Sequence, residues 1–162
     1  MEYSPFCLAI ESAQVRLLET ARELGVAIVA YSPLGNGILG GSNRSREDVS
    51  KDGDQRAILP WLRDENIQGN LALLDKFTDI ANSKGLSTAQ LALAWILAQG
   101  DDFFAIPGTT KLHRLEENLQ SISVSLTSDE ERSIRELVSQ GFEGGRVQDM
   151  TGFSFADTPA LS

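Results

Sequence analysis

One cysteine, one histidine and two tyrosines are all that this chain of 162 residues holds of three chemically versatile side chains. With Cys7 alone, no disulfide can close within the chain. This matches a reducing compartment, and Cys7 reads as a buried or half-buried thiol, not a nucleophile. His113 is the only imidazole. The paired carboxylates Asp101-Asp102 and Asp129-Glu130-Glu131 therefore have no His or Cys beside them for metal or acid–base chemistry. The first pair follows a helix stop and reads as a solvated turn. The second sits in a helix first turn, where acids favour the dipole. Positive charge is also scarce: 14 basic residues face 23 acidic ones, for a net charge of −9. That field repels a nucleic-acid backbone, so no nucleic-acid partner is expected. Long apolar runs are missing too. None reaches the roughly 18 to 20 residues of a membrane span, and the first residues lack the basic region and apolar block of a secretory signal. The expectation is a cytoplasmic protein with no membrane partner. A hydrophobic share of 41% suffices for one packed domain over residues 1–162.

The pattern of apolar residues organises the chain. Glu2 to Phe6 reads as a short strand ended by Ser4-Pro5. Val15, Leu18, Ala21 and Leu24 make 14–24 an amphipathic helix with Gly25 as its stop. Val26 to Tyr31 is a continuous apolar run of strand length, suited to burial on both faces in a parallel sheet. Ser32 to about Gly69 has little periodicity, which implies a functional or partly mobile loop, with mobility expected over 43–64. Helices follow at Leu71 to about Ser83 and at Thr88 to Gln99, the second capped by Ser87 or Thr88 and stopped by Gly100. Phe103 to Pro107 is the next strand and Leu112 to about Ile122 the next helix. On that helix Leu112, Leu115, Leu119 and Ile122 form a stripe expected to face a core. Thr127-Ser-Asp-Glu130 is a capping box opening a last helix to about Gln140, and 141–162 reads as an irregular tail. Alternating buried strands and amphipathic helices predict an α/β fold with parallel strands. Three strands make a poor sheet, and a complete eight-stranded (β/α) barrel takes about 200 residues or more.

Chemistry concentrates in two segments. In Ala105-Ile-Pro-Gly-Thr-Thr-Lys-Leu-His-Arg-Leu-Glu-Glu-Asn118 a strand runs through a Pro-Gly turn into a helix start rich in hydroxyls and positive charge. Backbone N–H groups at a helix N-terminus attract an anion, and Lys111 and Arg114 add formal charge. Arg114, Glu117 and Asn118 share one face. The same spacing also suits an ordinary capped helix after a buried strand. In Val29-Ala-Tyr-Ser-Pro-Leu-Gly-Asn-Gly-Ile-Leu-Gly-Gly41 the glycines Gly35, Gly37, Gly40 and Gly41 allow backbone amides to approach a pyrophosphate. Tyr31 offers a ring at the strand end. Arg44, Arg46, Lys51 and Arg56 form a looser basic group, interrupted by acids, that reads as a solvated loop.

Both segments, in this order and with helices between them, resemble the cofactor-binding half of the aldo-keto reductases. The resemblance runs nearly end to end. Glu2-Tyr-Ser-Pro-Phe6 is similar to the end of barrel strand six, and Leu17-Leu-Glu-Thr-Ala-Arg-Glu-Leu-Gly-Val26 to the helix and turn after it. The stretches Asn66 to Asp75, Thr88 to Gly100 and Phe155-Ala-Asp-Thr-Pro159 look most like a fungal subgroup. The implied fold is the C-terminal part, strands six to eight with their helices, of a TIM (β/α)8 barrel. The implied cofactor is NADP(H), with phosphate-binding loops after strands seven and eight. The resemblance puts Tyr31, Ser32, Leu34, Gly35, Gly37 and Leu39 on the pyrophosphate and nicotinamide, and Gly108, Thr109, Thr110, Lys111, Arg114, Glu117 and Asn118 on the 2′-phosphate and adenine.

The resemblance also implies an oxidoreductase that turns a small carbonyl compound into an alcohol. The family's catalytic Asp, Tyr, Lys and His belong to its N-terminal half, and no residue here matches them: Tyr3, Tyr31 and His113 fall on other family positions. The chain alone is therefore expected to be inactive. The alternative is a truncated, non-catalytic remnant or an NADPH-binding interaction or regulatory module. Sheet edges and an inward face without partners imply self-association or dependence on a chain carrying the other half.

Overall fold

The computed structural model describes residues 1–13, 16–41, 43–45, 47–49, 54–139 and 141–144. Helix α1 (Leu17–Glu23) leads into strand β1 (Ile28–Ala30); α2 (Asp64–Ser83) and α3 (Thr88–Leu97) precede strand β2 (Phe103–Ala105), and α4 (Leu112–Gln120) and α5 (Ser128–Val138) follow it. The two strands are parallel, with Ile28 opposite Phe103, Val29 opposite Phe104 and Ala30 opposite Ala105. Helices between parallel strands make this an α/β arrangement.

Both strands are shorter than the apolar runs that announce them. Gly25, at φ 64, ends α1 in the left-handed conformation that glycine adopts without penalty. Beyond β2 the ladder ends with Ile106 N donating to Ala30 O at 3.1 Å, just before Pro107. The expected strand at Glu2–Phe6 reduces to one parallel bridge between Glu2 and Tyr31. There Tyr31 N donates to Met1 O at 2.9 Å and Tyr3 N to Tyr31 O at 3.3 Å. The chain then folds back at once, with Ser4 and Cys7 bridged antiparallel around Pro5 and Phe6. This segment still flanks β1 on the side opposite β2.

Helix boundaries shift where local signals were weak. Helix α2 starts at Asp64, well before Leu71, and holds Gly69 in its interior. Asp64 and Glu65 place two acids in its first turn, where the helix dipole favours them. Its buried residues Asn70, Leu73, Leu74, Phe77 and Ala81 keep helical spacing. Helices α3 and α5 both open with complete capping boxes, Ser87 with Gln90 and Thr127 with Glu130. Gln14 and Val15, part of the first expected helix, lie outside the described residues, as does the tail from 145 to 162. Of the expected tail, Phe142 stacks on Phe6 with ring centroids 4.2 Å apart, and Glu143 N donates to Asn70.

The core lies on one side of the sheet. Ile28, Ala30 and Phe103 are buried with Leu91, Ala92, Trp95 and Ile96 of α3 and with Tyr3. The expectation that the β1 run is buried on both faces is corrected: Val29, Tyr31, Phe104 and Ile106 are exposed on the other side. The α4 stripe is corrected as well. Leu112 is 71% exposed and Ile122 70%, and Leu115 and Leu119 are also exposed. Helical spacing aligns those four residues on one face, but burial needs a facing element, and none among the described residues covers them. Asp102, expected in a solvated turn, instead pairs with Arg22 at 2.9 Å, and the same guanidinium lies over the Phe103 ring.

Candidate functional site

The C-terminal ends of β1 and β2 open into neighbouring loops, and a cleft of about 340 Å³ lies between them. The first wall is a contorted turn. After β1 the backbone enters the left-handed region at Ser32 (φ 51), Gly35 (φ 54), Asn36 (φ 54) and Gly37 (φ 99). Successive positive φ values turn the chain tightly across Gly35–Gly40 and line the cleft with Ser32, Pro33, Leu34, Asn36, Gly37 and Gly40. Gly37 has a packing reason as well, since a Cβ there would stand 2.7 Å from the Asn43 amide nitrogen.

The second wall follows β2. Pro107, Gly108 and Thr109 carry the chain into α4, whose Arg114, Glu117 and Asn118 face the cleft; Ala89 of α3 closes the floor. Thr109 Oγ accepts from Lys111 N at 3.1 Å, which shapes the entry to the helix. Lys111 at the N-cap contributes no side-chain cap, unlike Ser87 and Thr127 at the starts of α3 and α5. Asn118 is buried, and Ser121 Oγ donates to its carbonyl at 2.6 Å.

A third contribution comes from the connection between β1 and α2. Arg56 lines the cleft. Its Nε donates to Asp54 Oδ1 at 2.8 Å and its NH2 to Asp54 Oδ2 at 2.6 Å. The hydrogen bonds it donates to Asp54 raise the guanidinium's affinity for its proton further, so the cation persists at any working pH. Two guanidinium groups (Arg56, Arg114), two amides (Asn36, Asn118) and two hydroxyls (Ser32, Thr109) thus line the cleft with one carboxylate, Glu117. This set can hold a phosphorylated, hydrogen-bonding ligand.

Of the residues expected from the sequence, Ser32, Leu34, Gly37, Gly108, Thr109, Arg114, Glu117 and Asn118 line this one cleft. Tyr31, Gly35, Leu39, Thr110 and Lys111 do not line it. Tyr31 is half-exposed on the open side of the sheet, Leu39 is buried in the core, and Thr110 and Lys111 are exposed beside the α4 start. His113 is exposed on α4 and also stands apart from the cleft. Gly40, read with the glycine-rich turn, lines it too, and Pro33, Asn36, Ala89, Pro107 and Arg56 line it although the sequence does not single them out as site residues. Arg56 was grouped with a solvated loop because it lies in a stretch without periodicity. Its one local signal was Asp54 two residues earlier, where a side chain can bond the backbone of a short turn. Among the described residues, no His, Cys, Asp and Glu cluster could hold a metal ion, and no helix is long and apolar enough to cross a membrane.

A model of the Aldo/keto reductase family matches residues 1–139. "Aldo-keto reductase str7" of Strobilurus tenacellus is 42% identical over 161 residues, covering 99% of this chain and 48% of the relative. "Aldo-keto reductase yakc [NADP(+)]" of Schizosaccharomyces pombe is 39% identical over 163 residues, with the same coverage of 99% and 48%. The chain spans about half the length of the curated relatives it matches. Among solved structures, the thermostable aldo-keto reductase Tm1743, in complex with the inhibitor epalrestat, is similar with a TM-score of 0.54 and 25% identity. That match covers 84% of this chain and 38% of the other. An aldo-keto reductase from Klebsiella pneumoniae in complex with NADPH is similar in fold, with a TM-score of 0.60 at 20% identity. It covers 91% of this chain and 41% of that one.

Proposed function

Because the chain belongs to the aldo-keto reductase family, we propose that these residues form the NADP(H)-binding side of a carbonyl reductase, built on strands six to eight of a (β/α)8 barrel. The bridge at Glu2, then β1, then β2 would be those three strands in order, and their parallel pairing supports this reading. The observation that carries the function is the cleft between the loops that follow β1 and β2. Phosphate sites of (β/α)8 barrels favour this place.

The residues present fit the cofactor. The glycine-rich turn brings backbone close to the cleft, and Gly108 has open space where a Cβ would stand. Arg114 and Thr109 suit a 2′-phosphate, Asn118 and Glu117 offer acceptors and a donor to an adenine, and Arg56 supplies charge near the turn. NADPH, when bound, supplies the hydride that reduces a carbonyl to an alcohol. This chain's residues would bind and orient it and exclude water from its phosphates.

The proton donor of such a reaction is proposed to lie outside these 162 residues. Tyr3 is buried against Trp95 and Phe103 and donates to Glu11. Burial, with Glu11 beside it, pushes the Tyr3 hydroxyl's proton loss far above the ordinary phenol range. Titrating the purified chain with NADPH and NADH by calorimetry tests the proposal. Saturable binding that favours NADPH is expected; equal affinity, or none, would count against it.

A further inference from the structure

Asn43 is 4% exposed and adopts φ 63 in the left-handed region. Both ends of its amide are used. Nδ2 donates to Asn36 O at 2.9 Å, and Oδ1 accepts from Arg56 NH1 at 3.2 Å. Asn36 belongs to the glycine-rich turn and Arg56 to the β1–α2 connection, and both line the cleft. A single buried amide therefore joins the two walls. Gly37 leaves room for the joint, since a Cβ there would lie 2.7 Å from Asn43 and 3.7 Å from Arg56. Asp54 grips the same guanidinium from its other edge and is itself 13% exposed. Arginine presents five donors in a rigid fork, so after Asp54 and Asn43 are served the rest can meet an anion.

We propose that Asn43 is a positioning residue: it sets the Arg56 guanidinium against the glycine-rich turn, where it meets the diphosphate of NADP(H). This rests on the reading of the cleft as the NADP(H) site. A long, mobile side chain must lose rotamer freedom when it binds. Asn43 and Asp54 impose that loss before the ligand arrives, which strengthens each contact made afterwards. The joint also requires the turn and the connection to move as one unit around the ligand. No activity of Asn43 itself is implied, because it touches the cofactor only through Arg56.

A double-mutant cycle with NADP+ as the probe tests this. Glycine keeps the positive φ at position 43 without strain, so Asn43→Gly removes the amide alone. The unsubstituted chain, Asn43→Gly, Arg56→Ala and the double variant are titrated by calorimetry at low and high salt, with thermal melts alongside. Arg56→Ala should weaken NADP+ by about ten-fold or more. Asn43→Gly should weaken it by about three- to ten-fold when Arg56 is present and by less than about two-fold when it is not. Asn43→Gly should also lose much of the salt dependence that Arg56→Ala loses, which a merely structural role would leave in place. If Asn43→Gly does not fold, Asn43→Ser, too short to span the joint, takes its place in the same cycle. Additive losses with an unchanged salt dependence would overturn the inference alone. No binding by the unsubstituted chain would overturn it together with the reading of the cleft.

Discussion

Lys84, in the turn that ends α2, donates to Glu130 in the first turn of α5, 46 residues further along the chain. The other oxygen of Glu130 accepts from Thr127 N at 2.8 Å, so one carboxylate both closes a capping box and ties two helices. The Lys84 ammonium, with the Thr127 amide and hydroxyl, lowers the Glu130 carboxyl from 4.5 to about 2. A depressed carboxyl stabilises the fold above its unfolded value and loses that contribution as pH falls through its folded value. The melting temperature should therefore drop as pH falls from 4.5 toward 2. Glu130→Gln should flatten that part of the profile. An identical profile in Glu130→Gln would refute the assignment.

Arg114 lines the cleft, and Lys111 is exposed beside it. Arg114→Ala should weaken NADPH more than NADH, by about 1.5–3 kcal/mol for a charge-assisted contact. Lys111→Ala should have the same sign and a smaller size, because exposed charges are screened. Calorimetric titration with both cofactors measures it; equal losses for NADPH and NADH would remove the 2′-phosphate from this end of the cleft.

If the proton donor lies outside these residues, as proposed, the chain alone should show no measurable carbonyl reduction. General acid catalysis contributes about a hundred- to ten-thousand-fold, and lost orientation of the reactants adds more. Following NADPH absorbance with a simple aldehyde decides this. Steady turnover by protein freed of other reductases would place a competent acid within these residues.

Val29, Phe104 and Ile106 on the open face of the sheet, with Leu112, Leu115 and Leu119 on α4 and Ile122 in the turn just after it, leave broad apolar surface in water. Surface of this kind favours association. Light scattering should show species larger than a monomer, with binding of an apolar dye. Leu119→Gln with Ile122→Gln should reduce association yet shift stability little, since exposed positions change it by about 0.5 kcal/mol or less. A monomer that binds no dye would contradict the expectation.

Asn70 is 2% exposed, and its amide donates to Trp61 O at 3.0 Å and Glu143 O at 2.9 Å while accepting from Glu143 N at 2.8 Å. Asn70→Ala strands three backbone groups and should cost about 2–4 kcal/mol, given about 1–3 kcal/mol for a buried group left unsatisfied. Thermal melting would show this as a drop of roughly 5–15 °C. A loss under 1 °C would mean that the segment at 141–144 is not held through Asn70.

The sequence made some of this legible because the signals were local. The capping box at Thr127 and the stop at Gly25 each depend on a few adjacent residues, and both stand where they were read. The two cofactor segments were recognisable because a strand end, a turn and a helix start lie next to one another in the chain. What escaped was long-range. Asp102 reads as a solvated acid until Arg22 reaches it. The α4 stripe reads as core because periodicity reports a shared face but not what covers it. Helix α2 starts before its apolar periodicity does, because Gly69 and its polar neighbours read as a loop, whereas the Asn70 contacts that hold them come from Trp61 and Glu143. Arg56 has no periodic pattern around it and only the local cue of Asp54; the folded connection brings it to the cleft.

The clasp of Arg22 on Asp102 bears on how this chain is made. The two residues are 80 positions apart, and the parallel pairing of β1 with β2 closes a loop of similar size. Distant contacts of this kind slow folding, because the chain entropy is lost before the contact forms. At about 5–20 residues per second, a ribosome needs on the order of ten seconds to deliver β2 after β1 has emerged. For that interval β1 has no neighbour from β2 and its apolar run is uncovered. The newborn chain is thus most open to chaperone capture or mispairing before Phe103 arrives, and a pause in translation between α2 and β2 would lengthen that exposure.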